Sequence, residues 1–296
     1  MNTLFRQSEQ FRSLAVFGLH VTLSCRADLT GLGAETSISS LSGLRRGGRS
    51  VIAQAREWVE EAQAVAVLTG AGISQESGVP TFRGADGLWR NFRPEDLATP
   101  AAFVRDPGTV WEWYDWRRSV IVRAEPNAGH RALADLERRK PAVAGKPRFW
   151  LITQNVDGLH ERAGSRSVVK LHGDIWNVRC IGCGREERNE QVPLTPLPPR
   201  CSCGGLLRPG VVWFGEPLPA AALEQAFHAA RQADVFLVLG TSAVVNPAAS
   251  LPRIALEHGA RVIEVNPEPT ELSPAAHLSL RGRTGEILPQ IIPRAA

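Results

Sequence analysis

The sequence predicts an α/β chain built on a Rossmann-like parallel sheet with helices on both faces, interrupted by a helical insertion and a small cysteine-rich module. Three observations predict it. Short apolar runs alternate with helix-period stretches from residue 51 onward. One such run, residues 64–68, passes directly into Thr69-Gly70-Ala71-Gly72. Two close cysteine pairs break the alternation between residues 176 and 208.

The chain has 296 residues, of which 43% are hydrophobic, enough for one large domain with insertions. No apolar run reaches the roughly 18–20 residues needed to cross a bilayer, so a soluble protein without membrane contact is expected. The net charge is +4, but residues 1–50 hold six Arg against three acids. Residues 51–296 are therefore near neutral, which argues against a nucleic-acid partner. Residues 1–50 read as an N-terminal extension. Their Arg-rich, Ser-containing composition leaves open a transit peptide, a disordered tail, or upstream sequence from a misplaced start. A cytoplasmic setting is expected, since paired Cys in a chain this long suggest metal rather than disulfides; a monomer is the expected state.

Each element then follows in order. Residues 51–61 suit an amphipathic helix, with Val51, Ile52, Ala55, Trp58 and Val59 on one side. Strands are expected at 64–68, 149–153, 168–171, 235–239 and 261–265, and helices at 129–139, 220–232 and 247–258. In parallel sheets ligands bind beyond the carboxyl ends of strands, and three of these strands end in Gln154-Asn155, His172-Gly173 and Gly240-Thr241-Ser242.

The loop Gly70-Ala71-Gly72, with Ser74 opening a helix, is a dinucleotide-type arrangement: glycines let backbone approach a pyrophosphate, and a helix start offers N–H groups. Gln75 stands where the third glycine of the usual fingerprint belongs, and no acid is placed to hold a ribose, so a hydride-transferring dehydrogenase is disfavoured. His172, at a strand end, is a candidate general base. The segment Trp111-Glu112-Trp113-Tyr114-Asp115-Trp116-Arg117-Arg118 reads by composition as a helix packed into the smaller part, with Arg117 and Arg118 in solvent. Yet Tyr114 and Arg117 share one helical face, and a phenol beside a guanidinium can grip a carboxylate.

Cys180-x-x-Cys183 and Cys201-x-Cys203, 17 residues apart, supply four thiolates. Four protein ligands close a tetrahedral shell, so one structural zinc is expected, in a zinc-binding module at about 176–209 organised by metal instead of a core. The other insertion, at about 84–128, is expected to be helical.

The long string from Gly70 through Ser74, Glu76, Gly78, Pro80, Thr81, Phe82 and Arg83 to Gly84 resembles the signature of the sirtuins, NAD-dependent protein deacylases. The match continues through Thr153-Gln154-Asn155-Val156-Asp157-Gly158-Leu159-His160, Leu171-His172-Gly173, the Cys pairs, Val211-Val212-Trp213-Phe214-Gly215-Glu216, Gly240-Thr241-Ser242 and Val265-Asn266-Pro267. It covers residues 51–296, a sirtuin-type catalytic domain. The resemblance implies NAD as co-substrate. It implies cofactor contacts by Gly70, Ala71, Gly72, Ser74, Thr81, Phe82, Arg83, Trp89, Gln154, Gly240, Thr241, Ser242, Asn266 and Thr284, with Gly282 to Gly285 by the adenine. His172, Asn155 and Asp157 would be catalytic, the latter two also lining the nicotinamide pocket, and Phe82 would shield the reactive ribose carbon. Val212, Phe214, Gly215 and Glu216 would form an extended edge for the substrate backbone. Tyr114 and Arg117 match the pair marking the branch that prefers succinyl-, malonyl- and glutaryl-lysine (class III), and Ala85 would leave width for the chain. The implied products are free lysine, nicotinamide and O-acyl-ADP-ribose, the implied partners acylated-lysine proteins or peptides. Protein mono-ADP-ribosylation from the same pocket, or non-catalytic binding, are the competing classes.

Overall fold

A computed structural model describes residues 50–82, 88 and 93–293. Helix α1 (Val51–Glu61) is capped by Ser50, whose hydroxyl accepts the Ala53 N–H, and buries Ala55 and Val59. Strand β1 (Val65–Thr69) follows, fully buried, and then a single helical turn, α2 (Gly72–Gln75). The helix expected after Ser74 is only this turn, because Gly78 takes a left-handed conformation three residues on. Three helices come next: α3 (Pro94–Leu97), α4 (Pro100–Arg105) and α5 (Pro107–Ile121). Asp106 caps α5 by accepting the Thr109 N–H. Helix α6 (Ala128–Arg139) starts in a capping box in which Asn127 and His130 exchange hydrogen bonds.

Strand β2 (Phe149–Thr153), α7 (Leu159–Arg162) and β3 (Val168–Lys170) lead into β4 (Gly173–Cys180), β5 (Glu186–Arg188) and β6 (Leu207–Val211). Helix α8 (Ala220–Gln232), β7 (Val235–Leu239), α9 (Leu251–Glu257), β8 (Arg261–Asn266), β9 (Leu278–Arg281) and α10 (Thr284–Ile291) complete the described chain. The helix expected over 247–258 is split: a 3-10 turn at Ala248–Ser250 precedes α9. Pro252 has no N–H to give the carbonyl of residue 248, so it serves only in the first turn of a helix.

Six strands form one parallel sheet in the order β3-β2-β1-β7-β8-β9. Alternate residues serve opposite faces, as the pleat requires. Val65, Val67, Val235, Leu237 and Leu239 pack with residues of α1, α6 and α10, whereas Ala66, Leu68, Phe236 and Val238 pack with residues of α8 and α9. Both faces are covered, which is why these strands read as unbroken apolar runs.

The second sheet is antiparallel, in the order β5-β4-β6. It is not organised by cysteines alone. Ile175, Val178, Cys180, Cys201, Leu207 and Trp213 share one apolar core with Phe103, Trp111, Trp113 and Tyr114 of the helical segment. Trp111 Nε1 donates to the Leu207 carbonyl at 2.7 Å. The two insertions read separately from the sequence thus share one packed body.

Candidate active site

Strand β1 has β2 on one side and β7 on the other, so the loops leaving β1 and β7 diverge. That is the topological switch point at which such sheets open a crevice. The Gly70 N–H donates to the Leu239 carbonyl at 3.0 Å, and the Gly72 N–H to the Gly240 carbonyl at 2.8 Å. A Cβ on Gly70 would lie 2.7 Å from Thr241 Cβ, and one on Gly72 would lie 2.7 Å from the Gly240 carbonyl oxygen. By sequence alone these glycines make room for an approaching pyrophosphate. Protein backbone already demands them: they are bare because β7 ends against them.

Beyond β2, three successive polar side chains are spread over different partners. Gln154 Nε2 donates to Thr241 Oγ1 at 3.0 Å, tying the β2 exit to the β7 exit. Asn155 Nδ2 donates to the Gly70 carbonyl at 3.0 Å and to Ser74 Oγ at 3.2 Å. Its side-chain oxygen has no hydrogen-bond donor among the described residues. Asp157 is buried and receives the Ser74 hydroxyl at 2.8 Å and the Leu159 N–H at 2.9 Å. Burial pushes its carboxyl above the ordinary value, while those two donors and nearby Arg117 oppose the rise. Gly158 turns left-handed behind it to start α7.

His172 sits where β3 gives way to β4. The positive φ of Gly173 makes the turn, and a Cβ there would lie 2.2 Å from the Gly210 carbonyl oxygen. His172 Nδ1 lies 3.0 Å from the Gln154 carbonyl oxygen. A carbonyl only accepts, so Nδ1 carries the proton and Nε2 presents its lone pair. Burial lowers the imidazole below its ordinary value, with the Gln154 carbonyl pulling the other way. The result is a neutral ring at pH 7 with its basic nitrogen fixed by tautomer.

The remaining expected cofactor contacts are scattered in their environments. Ala71 and Thr81 are half-buried, Ser242 is exposed, and Asn266 donates from its side chain to the Glu268 carbonyl at 2.8 Å. Thr284 is buried, and its hydroxyl goes to Glu76 at 3.1 Å, with the Gly285 N–H joining the same carboxylate at 2.9 Å. In this structure its side chain anchors α10. Arg83, Ala85 and Trp89 lie outside the described residues.

The aromatic helix α5 differs most from its compositional reading. Arg117 and Arg118 are not in solvent; they are 7% and 0% exposed. Arg118 donates twice to the Ile175 carbonyl and once to Asn189, which pins α5 to β4. Arg117 is different: among the described residues no hydrogen bond or ion pair engages its guanidinium. It stacks near the rings of Phe82 at 4.7 Å, Trp113 at 4.9 Å and Tyr114 at 5.8 Å. Beside it opens a cleft whose other lining is apolar, including Val79, Pro80, Leu88 and Val120. The Tyr114 hydroxyl accepts the Trp213 indole N–H at 3.0 Å, which leaves its own proton to donate. Burial raises the phenol above its ordinary value and keeps it protonated.

The segment after β6 is not extended to residue 216, as the sequence suggested. It turns at Phe214 and Gly215, Gly215 taking φ +87°, and the Glu216 N–H closes on the Trp213 carbonyl at 3.0 Å. Val212 is tied to His172, its N–H donating to the His172 carbonyl at 2.9 Å. Phe214 is largely exposed, at 44%. The Glu216 side chain turns inward to Arg208 at 2.6 Å and to the Trp213 N–H at 2.9 Å. Arg208 in turn stacks on the Trp213 ring at 3.6 Å. Sequence reasoning missed Arg118, Arg208 and Trp213 as supports; only their burial distinguishes them from ordinary surface or core residues.

The ligand sulfurs of Cys180, Cys183, Cys201 and Cys203 all lie within 4.8 Å of one another, with Cys180–Cys203 at 3.5 Å and Cys183–Cys201 at 3.8 Å. A tetrahedral zinc with bonds near 2.3 Å sets its sulfurs about 3.8 Å apart, so the four thiols fit one ion. With four protein ligands, no position would be left for a reacting water, so a zinc held there would be structural.

Comparison with known proteins agrees with this geometry. Residues 70–247 match the Sir2 family model. An NAD-dependent protein deacylase from Aquifex aeolicus is 58% identical over 224 residues, covering 75% of this chain and 91% of the relative. A crystal structure of a Sir2 homologue in complex with NAD is 50% identical, with a TM-score of 0.75, covering 81% of this chain and 92% of that one. A Sir2 protein bound to a myristoylated histone peptide is 36% identical, with a TM-score of 0.66 and coverage of 82% and 94%. The switch-point crevice, the neutral histidine and the four-thiol site are therefore those of a family member: the chain belongs to the Sir2 family.

Proposed function

We propose that this Sir2-family chain, an NAD-dependent protein deacylase, acts preferentially on lysines carrying acidic acyl groups, succinyl or malonyl, and accepts acetyl as well. Its partners are acylated-lysine proteins or peptides. Its products are free lysine, nicotinamide and O-acyl-ADP-ribose. The observation that carries the preference is Arg117: a nearly buried cation, unpaired among the described residues, beside an apolar cleft and a protonated phenol. Asp157 acts on this cation only from beyond ion-pair distance, so the buried charge stays costly until a carboxylate in contact supplies the counter-charge. An acyl carboxylate supplies it, with Arg117 donating in a fork and Tyr114 adding a third donor.

The chain's own residues divide the remaining work. NAD, when bound, supplies an electrophilic ribose carbon and a leaving nicotinamide. Asn155, with its side-chain oxygen unengaged, and Asp157 orient the nicotinamide half. His172 takes a proton from a ribose hydroxyl at Nε2, because Nδ1 is committed to the Gln154 carbonyl. Phe82, on the segment before the cleft, excludes water from the reacting centre. Loose sequence specificity follows if the Val212–Trp213 backbone is what meets the peptide.

The test is one peptide made in acetyl, succinyl and malonyl forms, incubated with NAD and read by mass spectrometry. A kcat/KM for the succinyl or malonyl form at least about tenfold above acetyl is expected from one charge-assisted pair. Equal or higher efficiency on acetyl refutes the preference. A gain of ADP-ribose mass on the protein, without acyl loss, would replace the reaction altogether.

A further inference from the structure

Two buried histidines play no part in the chemistry just described. His160, on α7, is 1% exposed, and His130, on α6, is 0% exposed; their rings lie 4.9 Å apart. His130 Nδ1 accepts the Asn127 N–H at 3.3 Å, so its proton is on Nε2. His160 Nε2 lies 3.0 Å from Thr69 Oγ1. Thr69 Oγ1 donates to Thr153 Oγ1 at 2.8 Å, and the Asn155 N–H donates to the same Thr153 oxygen at 3.0 Å.

With Thr69 donating its one hydrogen to Thr153, His160 donates to Thr69 from Nε2–H. His160 Nδ1 and His130 Nε2 have no hydrogen-bond partner among the described residues. Burial pushes both imidazoles well below their ordinary value, His130 to about 4, so both stay neutral. Thr69 and Thr153 are register partners at the last residues of β1 and β2. The peptide group between Gln154 and Asn155 carries both the carbonyl that holds His172 and the N–H that Thr153 receives.

We propose that His160 is a positioning residue: through the Thr69 and Thr153 hydroxyls it fixes the Asn155 backbone, and so sets how Asn155 meets the nicotinamide group. This rests on the reading of Asn155 as a nicotinamide contact and is independent of the acyl preference. A mere packing role for His160 would need no hydroxyls at the two strand ends. Valine would fill both positions in a buried parallel sheet at least as well.

The experiment uses the full chain and one acylated peptide that it turns over. The variants are Thr69→Val, Thr69→Ser, His160→Gln and Asn155→Ala. The readouts are the nicotinamide inhibition constant, KM for NAD, the dissociation constant for ADP-ribose, which lacks the nicotinamide, and the melting temperature. Thr69→Val should raise the nicotinamide inhibition constant and KM for NAD about five- to tenfold, the scale of one lost hydrogen bond. ADP-ribose affinity should stay within about twofold, and Thr69→Ser, which restores the hydroxyl, should return the constants to near those of the parent. His160→Gln should move in the same direction as Thr69→Val. If His160→Gln fails to fold, the Thr69 pair decides alone. Unchanged nicotinamide inhibition in Thr69→Val, against a change in Asn155→Ala, overturns the relay. No change in Asn155→Ala overturns the site reading beneath it, and the proposal with it.

Discussion

Replacing Arg117 with Met separates the two things a buried cation can do. The guanidinium is 7% exposed, is held below its ordinary value by burial, and has no hydrogen-bond or ion-pair partner among the described residues. Its compensation in the free protein is three aromatic faces within 5.8 Å, worth together roughly 1–2 kcal/mol, and the more distant Asp157 carboxylate. Desolvating a charge costs several kcal/mol, so an apolar side chain of similar length should be neutral or stabilising, by up to about 3 kcal/mol. With a succinylated peptide the balance reverses. A hydrogen bond to a charged group contributes about 1.5–3 kcal/mol, which is roughly a 10- to 150-fold loss in kcat/KM when Arg117 is gone. An acetyl group has no carboxylate to lose, so deacetylation should stay within about threefold. The assay is steady-state turnover of matched acetyl and succinyl peptides, with a thermal melt on the same preparations. Equal losses on both peptides would refute carboxylate recognition. A fall in melting temperature with unchanged selectivity would show that Arg117 is there to hold α5.

Other outcomes follow from the same geometry. Because burial lowers His172 below 6.5 and the reaction needs its neutral form, kcat should hold down to pH 6.5 and fall on an acid limb below it; an inflection above 6.5 would contradict the buried, Nδ1-protonated ring. His130 is held at about 4 when folded against about 6.5 unfolded, so the unfolded chain binds the extra proton between those values. Its contribution is intact above pH 6.5 and is lost as pH falls toward 4, about 3 kcal/mol in all. His130→Phe should flatten that part of the pH–stability curve measured by denaturant melts, and an unchanged curve would count against the shift. Elemental analysis should find one zinc per chain, and Cys183→Ser should lose it. Because the cysteine module shares its core with Trp111 and Tyr114, chelation should lower desuccinylation and melting temperature together. Chelation that strips zinc yet leaves both intact would show that the core holds without metal.

How much was legible in the sequence depends on the range of the interaction behind each feature. The fully buried strands, the amphipathic α1 and the cysteine pairs are written in local pattern, because apolar runs, helical periodicity and ligand spacing act over a few residues. His172 and Asn155 were legible as candidates because each follows a strand, and strand ends are where a parallel sheet binds ligands. Their hydrogen-bonding states were not. The tautomer of His172 depends on the Gln154 carbonyl, 18 residues away, and the open acceptor of Asn155 on the Gly70 carbonyl, 85 residues away. Arg117 and Arg118 show the limit most clearly. They are neighbours with the same side chain, yet one is spent on the Ile175 carbonyl and Asn189 and the other has no hydrogen-bond partner among the described residues. Residue identity fixes what a group can donate or accept. Which partner stands within 3 Å is set by where distant strands and helices pack, and that only the tertiary structure decides.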